Sequence, residues 1–418
     1  MFILRRAACR MYQRTAFIVS PLLRWRTPQA LRPANGLGEL ADILQSHGIT
    51  RYLLIHGKTV GKLGIVRPLL TRSEELGLTC VEFDDVAPDP TVEMVEQARQ
   101  AYLTGNCSAI VAVGGGSPMD CAKAVAARIA RPDKSVCDMR GLLKIRRKTP
   151  PIYAVPTTSG SGSETTLAAV ICDPKTQTKF AINDPVLIPS YVVLDASLTR
   201  TLSPEVTAQT GMDALTHAVE AYIGHSNTSQ TRAMAARAVK KIFRYLPEAY
   251  ADGDDLEERR QMQEASYCAG VAFTRAYVGY VHAIAHTLGA KYHIPHGLAN
   301  AVILSYVLEC SFKQARRELA ELGKYSGESE VTDNRQQAAE RFVRGVKKLR
   351  NTLGIPEHLP QIQAADIPEM ARKADREANP LYPVPRLLNV KELERLYRVI
   401  AGLEANPWEI PTEPNTHR

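Results

Sequence analysis

The feature that most limits how this 418-residue chain can fold is a change of period near residue 200. From Arg51 to about Ala196, short apolar runs alternate with helical patterns. Candidate strands are Tyr52–Gly57, Thr79–Phe83, Ala109–Val113, Ile152–Val155, Ala168–Cys172 and Val192–Asp195, with helices expected near residues 61–76, 91–104 and 118–130. Strand and helix in alternation build a mostly parallel, Rossmann-like sheet covered on both faces. After Ser203 strand signals nearly vanish. Helical patterns then run to about Leu403, broken at Gly224–Asn227, Gly253, Pro295, Ser326–Thr332, Pro356–Pro360 and Pro380–Pro385. The chain is too long for a single core. The expected layout is a basic extension (1–25), an α/β domain (26–202) and an all-α domain (203–418).

Within the helical part, the stretch from Gly270 to Leu304 holds four of the ten histidines: His282, His286, His293 and His296. His282 and His286 are four apart, so on a helix they share a face about 6 Å apart along the axis. Pro295 cannot comfortably continue a helix, which makes His296 part of a turn or a fresh start. The apolar, small-residue surroundings argue that these imidazoles are buried and need partners. A divalent metal is one such partner, since neutral imidazole nitrogen is its commonest donor. Upstream, residues 204–223 read as an amphipathic helix with Ser203 as N-cap and Pro204 in its first turn. There Asp213 and His217 are again four apart. Asp213, His217, His282 and His296 would together offer one oxygen and three nitrogens, a set that suits tetrahedral Zn²⁺ or an open Fe²⁺ site.

In the α/β part, the strand Ala109–Val113 runs into Gly114-Gly115-Gly116-Ser117-Pro118-Met119-Asp120 and then a helix. Glycines after a parallel strand let the backbone approach a pyrophosphate, and the next helix presents free N–H groups and its positive dipole end. A second loop, Pro156 to Thr165, is dense in hydroxyls and follows the strand Ile152–Val155. Strand carboxyl ends are where ligands bind in open α/β sheets.

Charge excludes one broad class. The net charge of +8 comes almost wholly from seven arginines within residues 1–38 (5, 6, 10, 14, 24, 26 and 32), before any acid appears. The remainder is close to neutral, so no basic groove for nucleic acid is expected. The arm reads in three ways: a transit peptide, a helix for an anionic lipid surface, or a helix and strand edge ahead of the first domain, the last being preferred. No apolar run reaches the roughly 18 residues a membrane span needs. The eight cysteines are scattered without a CxxC pair, which suits a reducing compartment and a cytoplasmic location.

Four segments together resemble the iron-containing (group III) alcohol dehydrogenase family: GGGSPMDCAKAVA (114–126), AVPTTSGSGSETT (154–166), GMDALTHAVEAY (211–222) and GYVHAIAHTLGAKYHIPHGLANAVIL (279–304). The resemblance extends from about residue 28 to 403. It implies the dehydroquinate synthase-like architecture and an NAD(P)-dependent enzyme moving a hydride between a primary alcohol or diol and its aldehyde. It puts the metal, Fe²⁺ with Zn²⁺ as the alternative, on Asp213, His217, His282 and His296. It puts NAD or NADP against Gly115, Gly116, Ser117, Asp120, Thr157, Thr158 and Lys179, proton transfer on His286, and a homodimer contact at the N-terminal sheet edge. His293 matches nothing functional and is read as structural.

Two departures bear on the cofactor. Where the family often has Asp at the end of the second strand, this chain has Gly57, flanked by His56 and Lys58. A carboxylate there would repel a 2′-phosphate; its absence, with possible positive charge from the neighbours, predicts that NADP(H) is accepted at least as well as NAD(H). Asp89 stands where the family commonly has Asn. The alternative reading is a dehydroquinate synthase-like carbon–oxygen lyase that uses NAD transiently; a set of Asp213 plus three histidines argues against it.

Overall fold

The computed structural model describes residues 2–23, 25–176 and 178–410. It divides into two compact units, Pro21–Thr201 and Leu202–Arg418, the second of which also takes in Met1–Ser20.

The chain begins with helix α1 (Phe2–Val19). The first unit then runs β1 (Gln29–Leu31), α2 (Glu39–Ser46), β2 (Arg51–His56), α3 (Lys58–Lys62), α4 (Arg67–Glu75), β3 (Thr79–Phe83), α5 (Val92–Thr104), β4 (Ala109–Gly114) and α6 (Gly116–Ala130). It closes with β5 (Gly141–Leu142), β6 (Ile152–Pro156), β7 (Ala168–Asp173), β8 (Thr178–Asn183) and β9 (Tyr191–Val193). Six strands form one sheet in the order β1-β9-β6-β4-β2-β3, every pairing parallel. Its central strands are buried on both faces, as parallel sheets require. Tyr52, Leu54, Val111, Val113, Tyr153 and Val155 meet Leu40, Leu44 and Leu69 on one side. The alternate residues Leu53, Ile55, Ile110 and Ala112 are equally inaccessible on the other.

Three local expectations are corrected. The stretch near 61–76 is not one helix: Gly64 turns left-handed at φ 68° and Pro68 opens α4. The strand Ala168–Cys172 exists but leaves the main sheet. Asp173 accepts from the Lys175 N–H at 3.0 Å and the Thr176 hydroxyl at 2.8 Å, an Asx-type turn that sends the chain back antiparallel as β8. The two strands join β5 in a separate three-stranded sheet. The basic arm forms the expected N-terminal helix, α1, but that helix groups with the helical unit, and only from Pro21 does the chain join the α/β unit. Cys9 enters the helical core, Arg5 meets Asp375 at 2.7 Å, and Arg10 donates to the carbonyls of Val384 at 2.7 Å and Pro385 at 3.0 Å.

The helical unit contains α7 (Pro204–Ile223), α8 (Ser229–Ala251), α9 (Leu256–Ala276), α10 (Tyr280–Tyr292), α11 (His296–Ser326), α12 (Arg335–Thr352), α13 (Ile367–Ala378) and α14 (Val390–Ile400). As expected, α7 opens with Ser203 accepting from the Val206 N–H at 3.3 Å. The break between α9 and α10, at Tyr277–Gly279, was not foreseen. His293 ends α10 in a left-handed conformation (φ 55°, ψ 29°), a structural role.

Helices α7 and α11 come close at Gly297, where a Cβ would lie 2.5 Å from the Gln209 carbonyl oxygen. Backbone cannot step aside as a side chain can. Gly297→Ala is therefore expected to destabilise the helical unit by about 1–3 kcal/mol, seen as a lower urea midpoint. An unchanged midpoint would show that the two helices are free to part.

Candidate metal centre and nucleotide loops

Helix α7 places Asp213 and His217 one turn apart on a face turned into the helical core, where each is 4% exposed. His282, 3% exposed, comes from the first turn of α10, and His296 is the first residue of α11, after Pro295. One donor atom from each of the four lies within 4.8 Å of the others. The expectation that the histidines of the 270–304 stretch are all buried is corrected: the His286 and His296 side chains are 46% and 42% exposed.

One donor, His282, is held in the state that a cation needs. His282 Nδ1 lies 2.6 Å from Glu220 Oε2, so with Nδ1–H donating to the carboxylate, Nε2 carries a lone pair toward the cluster. Burial and the three neighbouring imidazoles push the His282 pKa well below its usual value, so the ring is neutral at physiological pH. The amide of Asn300 lies among the acceptors, with Nδ2 donating to Asp213 Oδ1 at 2.7 Å and standing 3.0 Å from His296 Nε2 and 3.3 Å from His282 Nε2. Phe273 stacks on the His217 ring at 4.0 Å and fixes its plane. One carboxylate and three imidazoles converging in this way fit a divalent cation.

Glu220, Asn300 and Phe273 were missed by sequence reasoning, although two left a signal. Glu220 follows Asp213 by seven residues and His217 by three, which is the same face of α7; Asn300 follows His296 by four. Burial raises the Glu220 carboxyl pKa, against the pull of the Gly279, Val281 and His282 N–H groups. His286 Nδ1 sits 2.6 Å from Glu377 Oε1, while its ring stacks on His296 at 5.3 Å.

In the α/β unit, β4 leads through the glycines into α6. Gly114 has φ 146°, and a Cβ there would meet Pro118 Cγ at 2.8 Å, so this position needs glycine for the turn itself. Gly115 and Gly116 differ: added Cβ atoms would come no nearer than 3.6 Å to Thr158 and 3.9 Å to Ser161. A Cβ would fit at either position without a clash, so sterics alone do not require glycine there; the start of a helix after a parallel strand is where backbone N–H groups can meet a phosphate. Thr157 is tied to the first loop by its N–H on the Gly114 carbonyl at 3.0 Å.

Asp120 turns inward. Its two oxygens accept from Ser163 Oγ at 2.8 Å and the Val170 N–H at 3.1 Å, so the carboxylate braces the second loop. Lys123, one turn on and fully buried, donates to Ser163 Oγ, Thr166 Oγ1 and the Ala168 carbonyl at 3.0, 2.7 and 2.8 Å. Burial pulls its pKa down to about 8.

The positive charge expected beside Gly57 is already partnered. His56 Nε2 lies 2.8 Å from Glu82 Oε1, and Lys58 Nζ lies 2.8 Å from Asp85 Oδ1. A side chain at 57 would also meet the Val86 carbonyl oxygen, 2.8 Å from an added Cβ. Lys179 is paired with Asp89 at 2.5 Å, and the Asp89 N–H reaches Ser117 Oγ at 3.4 Å.

Residues 28–196 match the family described as iron-containing alcohol dehydrogenase, and residues 207–401 match the C-terminal part of the Fe-containing alcohol dehydrogenase family. A 1,3-propanediol dehydrogenase of Citrobacter freundii is 38% identical, over 87% of this chain and 95% of that protein. An NADPH-dependent butanol dehydrogenase of Clostridium saccharobutylicum is 32% identical, over 87% of this chain and 95% of the other. The crystal structure of a 1,3-propanediol oxidoreductase superposes with a TM-score of 0.86 at 34% identity, covering 90% of this chain and 99% of that one. The glycine loop, the helical donor cluster and the matches across both units lead to one conclusion: this chain belongs to the iron-containing alcohol dehydrogenase family.

Proposed function

We propose that this chain transfers a hydride between a primary alcohol or diol and NAD(P), using the cluster of Asp213, His217, His282 and His296 as its metal site. The reaction class, metal-dependent alcohol oxidation and aldehyde reduction with Fe²⁺ and NAD(P), comes with the family. What carries the assignment to these four residues is their convergence within 4.8 Å. The donor set of three nitrogens and one oxygen would take Zn²⁺ as well as Fe²⁺.

A divalent cation supplies Lewis-acid polarisation of the substrate oxygen, and the nicotinamide supplies or accepts the hydride. The chain's own residues do the rest. Asp213 and the three imidazoles bind the cation and leave it a formal charge of about +1. Glu377 holds the proton on His286 Nδ1, which makes Nε2 the atom that would take up the alcohol proton or return it. The open N–H groups around Gly115 and Gly116 bind the pyrophosphate. Ser117, Thr157, Thr158 and Lys179 border that loop system, with Asp120 bracing it from behind.

For the cofactor, we propose that NADP(H) is accepted at least as well as NAD(H). Gly57 presents no carboxylate to a 2′-phosphate, and Lys58 can leave Asp85, since both side chains are more than half exposed and such pairs are weak. We also propose a cytoplasmic homodimer. In support, no disulfide joins any of the described cysteines, and β1 ends the large sheet with an unpaired edge among the described residues. No described helix is long and apolar enough to cross a membrane.

Two outcomes are expected. His282→Ala should lose bound metal, from about one ion per chain to background by elemental analysis, and lose turnover with it. A metal-free variant with near-normal activity would defeat the scheme. In steady-state assays over a panel of alcohols and aldehydes, kcat/KM with NADP(H) should equal or exceed that with NAD(H). An NAD(H) preference above about tenfold, roughly 1.4 kcal/mol, would overturn the cofactor proposal.

A further inference from the structure

Among the carboxylates of the helical core, Glu220 is one that the reaction scheme above leaves without a task. Its side chain is 3% exposed, and its oxygens meet three N–H groups. Oε2 accepts from the Gly279 N–H at 2.8 Å and from His282 Nδ1 at 2.6 Å; Oε1 accepts from the Val281 N–H at 2.9 Å. Gly279 is the N-cap of α10 and brings no capping side chain of its own. The carboxylate on α7 therefore does that work from outside, at the positive end of the helix that carries His282 and His286.

We infer that Glu220 is the positioning residue of the metal site: it starts α10 where His282 must stand and fixes the His282 tautomer, so that Nε2 faces Asp213, His217 and His296. This rests on the assignment of those four residues to the metal. An imidazole binds a cation only through a nitrogen that carries no proton, and two tautomers compete for that condition. With Nδ1–H held by a carboxylate, the lone pair stays on Nε2. Outer partners of this kind also raise ligand basicity, and their loss typically weakens metal binding about 10–100-fold.

Glutamine cannot replace this carboxylate. All three groups that face it are donors, so an amide NH₂ at either oxygen position meets an N–H. With NH₂ at the Oε1 position the cap on Val281 is lost. With NH₂ at the Oε2 position His282 must accept on Nδ1, and its proton moves to Nε2, where the cation should be. Gly279 offers a second route to the same end. A Cβ there would lie 2.7 Å from Glu220 Oε1, so Gly279→Ala pushes the carboxylate off its partners while leaving the residue in place.

The test measures Zn²⁺ affinity of the full-length chain, stripped of metal, by competition with a chromophoric chelator. Co²⁺ spectra report ligand geometry, and NADPH fluorescence titration reports the α/β unit. Wild type should bind one ion tightly and His282→Ala should not. Glu220→Gln and Gly279→Ala should each bind about 10–100-fold more weakly, with an altered Co²⁺ spectrum and unchanged NADPH affinity. Zn²⁺ affinity of Gly279→Ala, or of Glu220→Gln if it folds, within about threefold of wild type would overturn the inference while the metal-site assignment stands. A wild-type chain that binds no Zn²⁺ or Co²⁺ would overturn both.

Discussion

The helical unit is arranged around a demand that apolar packing alone does not make. Three imidazoles and a carboxylate stand within 4.8 Å of one another, and three of the four residues are cut off from water. Buried polar groups are stable only when partnered. Hydrogen-bonding partners stand nearby, Glu220 behind His282 and the Asn300 amide among the acceptors of Asp213, His282 and His296, while Phe273 packs flat against the His217 ring. No single helix can provide this. Donors one turn apart on α7 can converge with others only if α10 and α11 are brought close, which is why Gly297 has no room for a Cβ against α7.

The α/β unit solves a different problem by the same economy. Under the proposed function its glycine loop would keep backbone N–H groups for a phosphate. The neighbouring loop after β6 is braced by side chains of α6 that point inward. Asp120 and Lys123, one turn apart on α6, both bond Ser163, and Lys123 adds Thr166 and the Ala168 carbonyl. Lys179 and Lys58, which the sequence offers as free cations, arrive paired with Asp89 and Asp85. Charge seen in a sequence is potential charge; its neighbours decide how much of it a ligand meets.

Much of this was legible beforehand. The bounds of α7, the N-cap at Ser203, the restart of helix after Pro295 and the strand at 79–83 follow from capping, proline chemistry and apolar runs, which act over a few residues. The four-residue spacing of Asp213 and His217 marks a shared face without any coordinates. What stayed hidden acts across the chain. The α9–α10 break has no strong breaker besides Gly279, yet the carboxylate of Glu220, some 60 residues away, captures the N–H groups that begin the new helix. The three-residue strand β1 has too few side chains for an alternation to show; it is defined by backbone pairing with β9. Helix α1 was recognisable as an amphipathic basic segment, but its attachment to Asp375, Val384 and Pro385 depends on residues more than 350 positions distant.

By itself, then, the sequence determined the two kinds of architecture, the places where helices start and stop, and which side chains were chemically able to bind a cation or a phosphate. Those are matters of period, propensity and residue type, all local. Tertiary structure decided which donors meet, which histidines are shielded from water, which nitrogen of His282 keeps its lone pair, and which charges are already spent on a neighbour. These depend on distances of a few ångströms between segments far apart in the chain, and no local pattern encodes them.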